Sequence, residues 1–286
     1  MNAIWNIEGP RRALITGASG GMGESFARIL ADEGWELALV ARNEEQLNRV
    51  AGVLRALHET RTVVIVQDLG RADAGEAVAR ELERRRFEPD VVINNAGFGL
   101  CGQSLSLPLE EQLAMIDVNA RAVADLSLRL LPGMAERGRG GGVLNVASLA
   151  GFMPGPGMAV YFATKAFVLS FSEALAEEVA GRGLTVSAFC PGPVRTSFLD
   201  RSGMRGTWLS RLLAPMKVEK AAWAGWQGFK EGGHVVIPGV LGHAAAVAAR
   251  ITPRAIMRKI AHFLLRPRRL LLKARDEEES RESEKP

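Results

Sequence analysis

Tyr161 is the only tyrosine in 286 residues, and Lys165 follows it by four positions. A phenol next to an ammonium is a pair that could move protons. Free tyrosine titrates at ~10, too high for an efficient acid–base group at neutral pH. A nearby ammonium favours the phenolate and lowers that value. On a helix, residues i and i+4 share a face with Cβ atoms roughly 5–6 Å apart, so Tyr161 and Lys165 can lie side by side. Lys165 is also a flexible donor able to reach a ribose hydroxyl. Ser148 falls at the end of a predicted strand, where its hydroxyl could hold a substrate oxygen. Together these groups could polarise a substrate oxygen and deliver a proton to it. The blander alternatives are a capping serine and a boundary tyrosine. Phe162, Ala163 and Thr164 read as ordinary helix residues.

A second cluster suits a phosphate. TGASGGMG, residues 16–23, follows a short apolar run and opens a helical pattern. Gly17, Gly21 and Gly23 allow positive φ and close backbone approach. A helix N-terminus offers unpaired N–H groups and a positive dipole end to a pyrophosphate. The candidate contacts are Gly17, Ser19, Gly20, Gly21, Met22 and Gly23. The alternative is a tight strand–helix turn. At the end of the next strand, where an acid would hold a ribose 2′-hydroxyl, stand Ala41 and Arg42. A guanidinium suits a 2′-phosphate, so the expectation is NADP over NAD.

The elements that must carry these groups alternate along the chain. Strands are predicted at 12–16, 36–41, 62–67, 90–97, 141–148 and 184–190, each a nearly continuous apolar run. Helical spacing covers 21–33, 43–57, 73–86, 109–136 and 158–180, with Asn43 as a cap. Six apolar strands separated by helices imply an α/β fold: a three-layer, doubly wound parallel sheet covered on both faces. Ligands of such sheets bind beyond the carboxyl ends of the strands, where every group named above falls.

Composition excludes several classes. Apolar residues make up 47% and charged residues 24%, as in ordinary globular proteins. Cys101 and Cys190 match no metal spacing and suggest no disulfide framework. The N-terminal stretch has no basic-then-apolar signal pattern, and no window holds ~18 uninterrupted apolar residues. The chain reads as cytoplasmic, or peripheral to a membrane. The net charge of +4 hides an asymmetry. Residues 251–275 carry eight Lys/Arg and no acid, and residues 276–286 carry six acids and two bases. Without these segments (+8 and −4) residues 1–250 are neutral, which argues against a nucleic-acid surface.

Over about residues 10–240 the chain resembles the short-chain dehydrogenase/reductase family. The resemblance rests on an ordered set: TGASGGMG at 16–23, QDL at 67–69, NNAG at 94–97, Asn119, Ser148, YFATK at 161–165 and PGPVRT at 191–196. Met22 stands where the family usually has isoleucine. The family implies a single-domain Rossmann fold, NAD(P)-dependent reductase or dehydrogenase activity, and a homodimer or homotetramer. It implies that Tyr161 is the acid–base, that Ser148 and Lys165 assist it, and that Tyr161 and Lys165 also touch the cofactor. It implies that Asn119 kinks its helix and helps hold a water in a proton relay from the lysine. Asp68 and Leu69 would border the adenine. Asn94, Asn95, Ala96 and Gly97 would line the cofactor and stabilise the central sheet. Pro191, Gly192, Val194 and Thr196 would flank the nicotinamide.

Residues 197–230 are rich in large apolar groups, including Phe198, Met204, Trp208, Leu212, Trp223 and Trp226. They suggest a lid over an apolar substrate, the alternative being that Trp223 and Trp226 pack a helix on the core. FGLCG (98–102) and AGFMPGPGM (150–158) would form the opposite wall. The expected division is a dinucleotide-binding and catalytic domain over 1–240, a basic amphipathic extension over 241–275, and a disordered acidic tail over 276–286. The helical pattern at 252–273 could lie on an anionic membrane, cover an apolar groove or meet a second subunit. The leading function is an NADPH-dependent carbonyl reductase, or the reverse dehydrogenase, acting on an apolar substrate. A 3-oxoacyl reductase of lipid metabolism is a special case. A catalytically silent NADP-binding sensor or scaffold is the different class, against which the retention of both Tyr161 and Lys165 weighs.

Overall fold

β-Branched and leucine-rich runs that are apolar on both sides can only be satisfied inside a sheet with helices on each face. The computed structural model of the protein describes residues 9–196 and 215–265, together with Ile7, Phe198 and Ser202. It shows such a sheet: β1 (Arg12–Thr16), β2 (Glu36–Ala41), β3 (Thr62–Val66), β4 (Val91–Asn94), β5 (Gly142–Val146), β6 (Thr185–Phe189) and β7 (Val235–Val236). The strands are parallel, in the order β3-β2-β1-β4-β5-β6-β7. The order reverses between β1 and β4, which opens a crevice at their carboxyl ends. β7 was not expected. It is two residues long and exists through its register with Ala188 and Phe189 of β6.

The helices are α1 (Gly21–Asp32), α2 (Glu44–His58), α3 (Ala74–Arg84), α4 (Leu109–Ile116), α5 (Ala122–Arg137), α6 (Ala159–Glu178), α7 (Val218–Lys230), α8 (Val240–Ile251) and α9 (Arg254–Leu265). A π-helical turn, Asp117–Arg121, joins α4 to α5. Asn43 caps α2, its side chain accepting from the Gln46 N–H at 2.8 Å. Alternate strand residues feed two core layers. Ala13, Ile15, Leu37 and Leu39 face α1, α2 and α7. Leu14, Ala38, Val40 and Val92 face α3, α5 and α6. α6 has the length and composition of a membrane span, but half of it is buried against the protein and it carries Tyr161 and Lys165.

The two tryptophans of the expected lid separate. Trp226 is fully buried on α7, its ring edge-on to Trp35 at 5.5 Å and its indole donating to Glu33 at 3.0 Å. It packs this helix on the core, as the alternative had it for this residue. Trp223 on the same helix is exposed. Met204, Trp208, Leu209, Leu212 and Leu213 lie outside the described residues, as do the acidic tail and the part of the basic extension beyond Leu265.

Candidate active site

β1 ends at Thr16, whose hydroxyl accepts from the backbone N–H groups of Asn95 and Ala96 at 2.9 and 3.0 Å. The Asn95 amide donates to the Thr16 carbonyl at 2.9 Å. The switch point is thus clamped by hydrogen bonds between the ends of β1 and β4. Gly17 turns here with φ +65°, and a Cβ on it would stand 2.9 Å from both the Ala96 Cα and the Asn95 amide nitrogen. A Cβ on Gly23 would overlap the Gly17 carbonyl. Backbone alone therefore forms the floor of this loop. Gly20 precedes α1, and no side chain caps the helix. Ser19, Gly20 and Gly21 keep accessible surface, while Met22 leans on the core. A bare glycine floor beneath an uncapped helix N-terminus fits a pyrophosphate. Thr196 approaches from the other side, 3.6 Å from where a Cβ on Gly21 would be.

Toward the sheet edge, Arg42, Gln67, Asp68 and Arg71 line a cleft of about 530 Å³. Arg71 is held by Asp73 at 3.0 and 3.3 Å, whereas no acid among the described residues pairs with Arg42. Asp68 is exposed and accepts from the Gly70 N–H at 3.0 Å. Leu69 differs: its side chain is buried in the core layer over α3, so it offers the cleft no side-chain surface. Asn94 differs likewise. It is turned into the core, where its amide donates to Ser127 at 3.1 Å and to Asn145 at 2.9 Å. It stabilises the sheet and does not line the crevice.

The acid–base candidates meet at the ends of β4, β5 and β6. Ser148, extended just after β5, accepts from the Ala150 N–H at 3.1 Å. Tyr161, 7% exposed, sits on the first turn of α6 with its ring 5.4 Å from that of Phe198. Lys165 is buried one turn on, donating to the Val146 carbonyl at 2.8 Å. Its Nζ lies 5.9 Å from the centroid of the Tyr161 ring. Burial pushes the Tyr161 phenol up to about 12, a hydrogen bond with Ser148 acting the other way. Burial pushes the Lys165 ammonium down to about 8, with the neighbouring Cys190 opposing. The expected lowering of Tyr161 by Lys165 is therefore reversed in this form. The ammonium is over the ring and bonded to a carbonyl, so it does not offset the loss of water around the phenol.

Asn119 lies in the π-helical turn and is fully buried. It accepts from the Phe98 N–H at 3.0 Å and donates to the Phe98 carbonyl at 2.8 Å and to the Thr164 hydroxyl at 3.2 Å. Its side chain clamps a loop to a helix. A Cβ on Gly97 would stand 2.9 Å from the Asn119 Oδ1 and 3.6 Å from the Lys165 Nζ, which puts these three groups in one place. Thr164 is not an ordinary helix residue. It is 3% exposed, donates to the Tyr161 carbonyl at 2.7 Å and receives the Asn119 amide. Pro191 and Cys190 are buried beneath, and Val194 pairs as a single parallel bridge with Met216. Gly192 packs beside Leu149.

Around Tyr161 gathers an apolar cluster that includes Met158, Phe162 and Leu265, with Phe98, Leu100 and Cys101 partly buried against it. Gly99 presses directly on it, since a Cβ there would stand 3.1 Å from the tyrosine ring. The basic helix α9 thus reaches the site through Leu265. The sequence signals for these neighbours were FGLCG, AGFMPGPGM, Phe198 and the apolar face of 252–273.

Residues 11–204 match the family described as short chain dehydrogenase. Sulfoacetaldehyde reductase 2 of Chromohalobacter salexigens is 36% identical over 192 residues, 66% of this chain and 75% of that protein. A very-long-chain 3-oxoacyl-CoA reductase of Anas platyrhynchos is 35% identical over 207 residues, 68% of this chain and 65% of that one. Among solved structures, a short-chain dehydrogenase from Sphingobium yanoikuyae in complex with NADPH has 33% identity and a TM-score of 0.74, covering 83% of this chain and 92% of that one. A short chain dehydrogenase/reductase from Burkholderia phymatum in complex with NAD has 25% identity and the same TM-score of 0.74, with coverage of 83% and 92%.

Proposed function

The chain belongs to the short-chain dehydrogenase/reductase family, and from that premise we propose that it is an NADPH-dependent reductase of an apolar ketone or acyl carbonyl. It is an oxidoreductase that interconverts an alcohol and a carbonyl with a nicotinamide cofactor. The observation that carries the finer reading is the placement of Tyr161, protonated at neutral pH and ringed by apolar side chains, between Ser148 and Lys165.

The residues divide the work. When bound, the cofactor supplies the hydride or accepts it back. Ser148 holds the carbonyl oxygen near the phenol. Tyr161 gives its proton to that oxygen as negative charge builds there, and the phenolate left behind regains a proton from solvent. Lys165, carrying its charge below about pH 8, stabilises that phenolate and offers its remaining N–H donors to a ribose. Asn119 and Thr164 act as positioning residues. Burial keeps the phenol protonated at neutral pH, so Tyr161 enters the reduction as the proton donor and, in the reverse reaction, recovers that proton from the alcohol. Arg42, with no acid partner among the described residues and set in a cleft at the end of β2, favours NADP over NAD. The apolar cluster disfavours phosphorylated sugars. Within the class, the likeness to a very-long-chain 3-oxoacyl-CoA reductase favours a 3-oxoacyl thioester.

The test is NADPH oxidation by purified protein across bulky ketones, 3-oxoacyl thioesters and small polar aldehydes. Turnover confined to small polar aldehydes sinks the substrate reading. With the best substrate, Tyr161→Phe should lower kcat by about 10²–10⁴-fold and leave NADPH binding, followed by cofactor fluorescence, nearly unchanged. Substantial residual turnover in that variant removes Tyr161 as the proton donor.

A further inference from the structure

A surface helix of a soluble domain buries its large apolar residues and shows polar ones to water. α8 does the reverse. It buries Gly242, Ala246 and Ala249 and leaves Val240 85%, Leu241 71%, Val247 57% and Ile251 77% exposed. Its small inner face lets it sit against the turn Leu149–Phe152 that follows Ser148, with Gly242 close to Ile237 and Leu149. α9 repeats the arrangement after only Thr252 and Pro253. Met257, Ala261 and Leu265 face inward, while Ile256 and Ile260 face out at 52% and 42%.

The charge around these faces has one sign. Residues 240–265, which carry the two helices, contain four Lys/Arg and no Asp or Glu. Arg250 is used locally, bonded to Glu173 at 3.2 Å and lying over Phe152. Arg254, Arg258 and Lys259 are exposed beside the outward isoleucines. Large apolar side chains and cations on the same exposed helices match the two components of an anionic bilayer surface, its acyl boundary and its headgroups. A second copy of the chain meets only the first requirement, because it brings the same excess of positive charge to the contact.

We propose that the outward faces of α8 and α9 dock the protein on an anionic lipid membrane, beside the apolar cluster around Tyr161. The link to the site is structural: α8 lies on the turn after Ser148, and Leu265 of α9 belongs to the cluster that holds Tyr161. A docked protein therefore presents its site at the membrane surface, where an apolar carbonyl compound concentrates. The docking does not depend on which carbonyl is reduced.

The experiment is cosedimentation of the full chain with vesicles of equal parts phosphatidylcholine and phosphatidylserine, against vesicles of phosphatidylcholine alone. The wild type should bind the anionic vesicles at low salt and release from them at high salt. Arg254→Glu/Arg258→Glu/Lys259→Glu should weaken binding roughly 100-fold, at the scale set by one headgroup interaction per cation. Val240→Ser/Val247→Ser/Ile251→Ser should weaken it as well. Both variants should keep the wild-type turnover of a water-soluble ketone, which shows that they fold. Absence of anionic-vesicle binding by the wild type, equal binding to neutral vesicles, or undiminished binding by either triple variant overturns the proposal. So does a serine variant that changes only the oligomeric state in sedimentation velocity, which would assign the face to a second copy.

Discussion

Because Tyr161 is the only tyrosine, its ionisation can be followed in the unlabelled protein without assignment. The perturbation is pH, applied to the cofactor-free chain. Burial moves the phenol from its ordinary value near ~10 up to about 12, and this difference corresponds to about 3 kcal/mol against the phenolate. The tyrosinate absorbance should therefore rise with a midpoint near 12 in the folded protein and near ~10 once denaturant has unfolded it. The sign for stability follows. A group whose value is raised by folding contributes stability that is complete below the unfolded value and lost as pH climbs through the folded one. Urea midpoints should fall between about pH 10 and 12 for the wild type and fall less for Tyr161→Phe. Lys165 acts in a lower window. Its value is depressed to about 8, so its contribution rises with pH from about 8 toward its unfolded value. A folded-state tyrosinate midpoint at or below 10 would falsify the reasoning, since it would mean that burial does not dominate at the phenol.

Other substitutions read out separate parts of the structure. Arg42→Ala should raise KM for NADPH by about 10–100-fold, the scale of a lost charge-assisted hydrogen bond, and leave KM for NADH unchanged. Equal effects on both cofactors would remove Arg42 as the 2′-phosphate contact. Thr164→Val keeps the shape but strips the hydroxyl that joins Asn119 to the Tyr161 carbonyl. A loss of about 1–3 kcal/mol in urea unfolding is expected, with kcat falling more than KM rises, and wild-type kinetics would confine Thr164 to a structural role. Trp226→Ala should cost about 3–5 kcal/mol in the same assay without altering substrate preference, and a changed preference would restore Trp226 to the substrate wall.

The sheet was legible because each predicted run is apolar on both faces, and only a parallel sheet between helices uses such runs. β1, β2 and α1 fall where the pattern put them, to within a residue. β7 was not legible, since two residues carry no period and Val235 and Val236 become a strand only by pairing with β6. The ambiguity at Trp226 has the same origin. An apolar face at helical spacing looks alike whether it covers a ligand or a core, and here Trp35 and Glu33, nearly two hundred residues away, decide. At the site, the spacing of Tyr161 and Lys165 was readable, but the direction of the lysine was not. That direction is set by the Val146 carbonyl at the end of another element, and with it goes the sign of the change at Tyr161. Thr164 was passed over because nothing local distinguishes it. Its partner, Asn119, arrives from a π-helical turn forty-five residues earlier.

How α6 is held explains why so many polar groups lie in this core. A helix packed by aliphatic contacts alone can slide or roll with little penalty, because one methyl substitutes for another. α6 is also pinned by directional bonds at three levels. Thr164 is tied to Asn119, Lys165 to the Val146 carbonyl, and Ser172 to the Asn145 amide at 2.9 Å. Asn145 in turn accepts from Asn94, whose amide also donates to Ser127 on α5. A buried polar chain therefore crosses from α5 through β4 and β5 to α6. Each of its side chains is at most 2% exposed, so a slipped register would leave amides unsatisfied in a dry interior. In the proposed reaction, proton transfer between Tyr161 and an oxygen held by Ser148 requires those groups to keep hydrogen-bond distance, and an error of one ångström costs orders of magnitude in rate. Ser148 rides on the end of β5 and Tyr161 on the start of α6. The polar chain joins the same strand to the same helix, and so it holds the distance on which that proposed transfer depends.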